Sequence, residues 1–102
     1  MFKKGTSIVT GAFVCYFRES RRRVNRLGIV TSKKIGNAVK RSRSRRVIRE
    51  AFRLIEPELR EKTDKRYDFI IVARGKTPYM NSQKLYGLMR TKLLEKLVAP
   101  KN

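Results

Sequence analysis

The sequence predicts a small two-layer α/β sandwich, and three observations lead to that class. Residues 8–17 carry apolar side chains on both parities, residues 67–74 are β-branched and almost continuously apolar, and two longer segments repeat apolar residues at helical spacing. The order is strand, strand, helix, strand, helix, which stacks one helical layer on one sheet. With 102 residues the chain forms a single domain, 1–102, with room for one modest core.

Along residues 8–17, Ala12, Val14 and Tyr16 share one parity, and Phe13, Cys15 and Phe17 the other. Residues 19–23 read as a charged turn, and residues 24–31 as a second strand forming a hairpin with the first, with Gly28 marking a close backbone approach. Gly36 and Asn37 then stop the strand, and Asn37 is placed to cap the helix that follows. That helix, beginning at Ala38, is expected to weaken at Glu56-Pro57, because proline is tolerated in a first helical turn but not inside. Residues 57–62 would be a short separate segment. Residues 67–74 form the central strand, and Asn81 or Ser82 caps a last helix running to Val98.

Charge decides the function class. There are 27 Lys and Arg against 8 Asp and Glu, a formal +19, so the partner is a polyanion. On a wheel of roughly 100° per residue, Val47, Ile48, Ala51, Phe52, Leu54 and Ile55 gather on one side of residues 38–55. Arg41, Arg45, Arg46, Arg49 and Arg53 gather on the other. The ladder Arg41, Arg45, Arg49, Arg53 places like charges one turn apart, about 5–6 Å, a repulsion best relieved by phosphates, which arginine binds in a forked geometry. A merely solvated helix would alternate signs. No run approaches the ~20 apolar residues of a membrane span, and Gly5-Thr6-Ser7 interrupts any secretory signal. The expected compartment is the cytoplasm, where the lone Cys15 remains a buried thiol.

Protein-borne catalysis has little to work with. The chain has no His and one Cys, which removes imidazole chemistry and thiolate zinc clusters. Glu56, Glu58, Glu61 and Asp64 could be imagined as a two-metal site, but the interleaved Lys and Arg favour balanced surface charge.

Ser32-Lys33-Lys34-x-Gly36-Asn37-Ala38-Val39, followed by Arg41-x-Arg43-x-Arg45-Arg46-x-x-Arg49, resembles the signature of the bacterial ribonuclease P protein component. The resemblance extends from Phe2-Lys3-Lys4-Gly5-Thr6-Ser7 through Phe13-Val14-x-Tyr16 to Tyr67-Asp68-x-Ile70-x-x-Ala73-Arg74. It implies a compact α+β sandwich, with a small mixed sheet, the basic helix in a βαβ crossover, and a C-terminal helix. It also implies an accessory subunit that binds a catalytic RNA and the 5′ leader of precursor tRNA, while the RNA, with Mg²⁺, carries out hydrolysis. No cofactor is then held by the protein itself, and neither a membrane nor an obligate protein partner is expected. Carried over by position, the RNA-facing residues are Lys33, Lys34, Asn37, Arg41, Arg43, Arg45, Arg46 and Arg49, to which the helical ladder adds Arg53. The leader-binding cleft falls on Phe2 and Tyr16, whose rings can stack on unpaired bases.

Two departures stand out. Ser42 occupies the place of the family's asparagine and Ser44 follows where a small or apolar residue is usual. The family's N-terminal helix is expected to be missing, which implies a shortened chain or an unusually open cleft. The competing readings are a structural RNA-binding protein of ribosomal type and a DNA-binding regulator. The second lacks the preceding helix and tight turn of a helix-turn-helix.

Overall fold

A computed structural model describes residues 6–21 and 23–97. Four strands form one sheet: β1 (Thr6–Val9), β2 (Phe13–Ser20), β3 (Arg26–Val30) and β4 (Arg66–Ala73). Two helices complete the domain, α1 (Ala38–Lys62) and α2 (Ser82–Leu97), with single 3₁₀ turns at Lys33–Ile35 and Thr77–Tyr79. The sheet order is β1-β2-β4-β3. β2 is antiparallel to β1 and β4, while β3 runs parallel to β4, so α1 is the crossover of a β3-α1-β4 unit in a mixed sheet.

The predicted first strand is in fact two. Thr10 makes the turn: its Oγ1 accepts from the amides of Ala12 (3.1 Å) and Phe13 (2.9 Å), and its own amide donates to the Phe13 carbonyl at 2.9 Å. This side-chain-closed turn makes β1 and β2 the hairpin. The expected pairing of residues 24–31 with that first strand is not found, because β4 lies between β2 and β3. β4 takes the centre because it is the most apolar strand and can be covered on both edges. Gly28 does not mark a close approach either. A Cβ there would meet Ile70 Cγ1 at 3.7 Å, an ordinary contact.

α1 also runs on through Pro57 as one helix of 25 residues. Proline removes one amide and crowds the preceding turn, but Pro57 lies on the exposed side, where water can satisfy the freed carbonyl. Ile55 and Leu59, fully buried on either side of it, hold the helix to the core. Leu54, expected in the apolar stripe, is 38% exposed. Ser44, near the start of the helix, is instead fully buried, its hydroxyl donating to the Lys40 carbonyl at 2.9 Å.

Parity divides the sheet. Phe13, Cys15 and Phe17 of β2 stand opposite Ala73, Ile71 and Phe69 of β4, and all six are buried in one cluster with Ile48, Ala51, Phe52 and Ile55 of α1 and Leu85, Met89 and Leu93 of α2. The Phe52 and Phe69 rings meet edge-on at 5.3 Å. Burial pushes the Cys15 thiol up to about 12, as an inert core cysteine requires. The opposite parity, with Val14, Tyr16, Ile70 and Val72 half-buried and Val9 and Val30 exposed, has no helix over it among the described residues.

The loop after β4 is anchored deeply. The Thr77 hydroxyl is fully buried, donates to the Ala12 carbonyl at 2.5 Å and accepts from the Arg74 amide at 2.9 Å. Thr77→Val keeps the shape but leaves those groups unpaired, so the variant should lose about 1–3 kcal/mol, read as a lower denaturation midpoint in urea with an unchanged slope.

Candidate nucleic-acid interface

The interface begins at a short 3₁₀ turn capped by Ser32 and closed by Gly36. Ser32 accepts from the Lys34 amide at 3.3 Å, and buried Ile35 pins the turn so that Lys33 and Lys34 project outward. Gly36 follows at φ +136°, a backbone conformation that strains any other residue, and a Cβ there would lie 2.8 Å from Lys40 Cδ, so the lysine side chain would also have to shift. Asn37 then caps α1, its Oδ1 accepting from the Lys40 amide at 3.0 Å. With no acid in the first turn of α1, the positive end of the helix dipole adds to the two lysines, a recognised setting for anions.

Beyond the cap the arginines separate into two groups. Arg41 is half-buried and its Nη1 donates to the Gly36 carbonyl at 2.8 Å. Arg43 Nε donates to the Pro78 carbonyl at 2.5 Å, and Arg45 donates to Thr31 Oγ1 at 2.9 Å and to Ser42 Oγ at 3.2 Å. These three brace the helix against its neighbours. Arg46, Arg49 and Arg53 are exposed, and among the described residues they have no hydrogen-bond or ion-pair partner. The expected ladder of Arg41, Arg45, Arg49 and Arg53 therefore winds around α1, since each four-residue step advances about 40°. Only its later members face solvent squarely.

Ser42, Arg45, Arg46 and Arg49 line a shallow groove of about 650 Å³ together with Ala38, Val39 and Arg43. A second groove, about 690 Å³, continues along the helix and shares Arg49 with the first. It adds Arg53 and, unforeseen in the sequence, Arg23, Arg60 and Arg66, over a floor containing Phe52 and Leu27. Arg60 lies seven residues after Arg53, a spacing that could have identified it; Arg23, in the loop before β3, and Arg66, at the start of β4, meet here only through the sheet order.

The acids downstream do not converge. Glu56 accepts from Arg60 at 3.0 Å and from Asn25 at 3.1 Å, while Glu58 pairs with Arg90 at 2.8 Å and accepts from the Tyr86 hydroxyl. Those hydrogen bonds, Tyr86 first and then Arg90, hold the Glu58 carboxyl below its usual range. They tie α1 to α2 as balanced surface charge. Among the described residues no group of His, Cys, Asp and Glu could hold a metal ion, and no helix is long and apolar enough to cross a membrane.

Tyr16 lies on the other face of the sheet, opposite Ile70 of β4 and Ser7 of β1. Next along this face Asp68, only 8% exposed, stands between Arg26 Nε at 3.0 Å and Arg18 Nε at 3.8 Å. With Gly28 and Ile70 they border a hollow of about 300 Å³. The face thus joins an apolar strip to a charged end. Phe2 lies outside the described residues.

Known proteins agree with this architecture. The Ribonuclease P family model matches residues 1–98. The ribonuclease P protein component of Oceanobacillus iheyensis is 41% identical over 81 residues, 78% of this chain and 64% of that protein; the match thus spans less than two thirds of the relative's length. The Thermoanaerobacter sp. (strain X514) protein is 38% identical over 93% of this chain and 78% of its own. The Staphylococcus aureus RNase P protein structure superposes with a TM-score of 0.69 at 31% identity, covering 98% of this chain and 86% of that one. A family model that matches nearly end to end, and a shared mixed sheet with two helices, establish that this chain belongs to the ribonuclease P protein family.

Proposed function

We propose that this chain is the RNA-binding subunit of ribonuclease P, acting in the maturation of tRNA 5′ ends in the bacterial cytoplasm. The observation that carries the reading is the outward row Arg46, Arg49 and Arg53, three cations presented on one helix without a partner among the described residues. Phosphates of a catalytic RNA would neutralise them, with Lys33 and Lys34 at the α1 N-terminus extending the contact. Asn37, Arg41, Arg43 and Arg45 shape that surface, chiefly by fixing the backbone and helix beneath it.

The sheet face turned away from α1 and α2 is assigned to the other RNA. A single-stranded 5′ leader of precursor tRNA would lie along Val14, Tyr16 and Ile70, with Tyr16 stacking on a base and Arg18 and Arg26 at the charged end meeting backbone phosphates. The helix layer and this sheet face are on opposite sides of the strands, so the protein would hold enzyme RNA and leader apart. Hydrolysis itself is assigned to the RNA with Mg²⁺, a reading supported by the arginine pairing of Glu56 and Glu58 and by the lack, among the described residues, of an acidic group that could hold a metal ion.

Multiple-turnover cleavage of precursor tRNA by a bacterial ribonuclease P RNA, with and without this protein at low Mg²⁺, tests the proposal. The protein should raise kcat/KM for precursor at a concentration where the RNA alone is nearly inactive. Tight RNA binding with no effect on cleavage would instead indicate a purely structural RNA-binding protein.

A further inference from the structure

An exposed aromatic stands beside the basic helix, outside both grooves. Tyr79 is 70% exposed, at the end of the 3₁₀ turn Thr77–Tyr79. Its backbone is fixed by the residues before it. Thr77 is tied to the Ala12 carbonyl in the interior, Pro78 is buried, and the Pro78 carbonyl accepts from Arg43 Nε of α1. Tyr79 N also donates to the Lys76 carbonyl at 3.1 Å. The ring therefore projects from a rigid base, so little conformational entropy remains to be lost when something stacks on it.

Its surroundings are cationic. Lys40 Nζ lies 5.3 Å from the ring centroid, Arg74 and Lys76 are exposed on the same loop, and the sequence has no acid between Asp68 and Glu95. Seating Lys40 is one use for the ring, but that contact leaves most of its area open to water. A rigid, exposed aromatic within a basic surround has the components of a single-stranded nucleotide site, a π-face for the base and cations for the phosphate.

We propose that Tyr79 is a stacking platform for an unpaired nucleobase of the bound RNA, with Lys40 placed for the adjoining phosphate. The inference rests on the RNA-binding reading above and extends the interface from the face of α1 onto the loop that follows β4. It also gives Arg43 a purpose distinct from phosphate binding, since its bond to Pro78 positions the platform relative to the helix.

Tyr79→Trp provides a direct test, because the chain otherwise has no Trp and the indole would report on this position alone. A short single-stranded RNA should quench its fluorescence, whereas an RNA of equal length and charge with abasic residues should quench it weakly. With a bacterial ribonuclease P RNA, Tyr79→Ala should lower affinity by roughly five- to thirtyfold. Its slope of log affinity against log salt should match the wild type, and Tyr79→Phe should bind within about twofold of it. Equal quenching by abasic RNA, or wild-type affinity in Tyr79→Ala, overturns the platform. Should the wild-type protein bind RNA with a steep salt dependence in that case, the RNA-binding reading survives alone; a wild-type protein that binds no RNA removes both.

Discussion

Replacing Arg46, Arg49 and Arg53 together with alanine should weaken binding of the catalytic RNA by about three orders of magnitude. A hydrogen bond to a charged group contributes about 1.5 kcal/mol at the low end, and three such contacts correspond to roughly 4.5 kcal/mol. The same variant should melt no lower than wild type. These side chains are exposed and, among the described residues, unpaired, so their loss removes repulsion within a chain of net charge +19 and takes no packing from the core. Filter binding and thermal denaturation of the triple variant check both halves. A fall in melting temperature matching the fall in affinity would mean that these arginines support the fold.

The second large effect is expected on the other face. Tyr16→Ala should reduce affinity for precursor tRNA by about five- to 150-fold, from ~1–3 kcal/mol per stacked base, while mature tRNA binding stays nearly unchanged. Tyr16 is only half-buried, and its parity faces away from the clustered core, so truncation opens no internal cavity. Comparing the two tRNAs under identical conditions separates loss of a leader contact from general damage to the protein, which would lower both.

Much of this was legible in the sequence because the strongest periodic signals were local. The stripe Val47, Ile48, Ala51, Phe52 and Ile55 is the buried face of α1, residues 67–74 mark the central strand, and Asn37 caps the helix as its position suggested. What the chain did not disclose depends on distant partners. Nothing near residues 24–31 says that β4 will separate β3 from β2, since both orders satisfy the same alternation. Pro57 looked like a helix end because its cost is local, whereas the burial of Ile55 and Leu59 that offsets it is tertiary.

The candidate site divides in the same way. Lys33, Lys34, Arg46, Arg49 and Arg53 project as a helical wheel and a charge count predict. Arg41, Arg43 and Arg45 carry the same charge but are engaged with Gly36, Pro78, and Thr31 and Ser42. No wheel separates a free arginine from a tethered one, because the tether is to backbone or hydroxyl oxygens rather than to acids. Tyr79 carries no sequence signal for a similar reason: a lone aromatic after a proline has no periodicity, and only the fold brings it to Lys40.

The most direct measurement is the salt dependence of RNA binding for single alanine variants along α1. If the outward row meets phosphates, Arg46→Ala, Arg49→Ala and Arg53→Ala should each reduce the slope of log affinity against log salt by up to about one. Slopes identical to wild type in all three variants would contradict the assignment of this helix face to the RNA backbone.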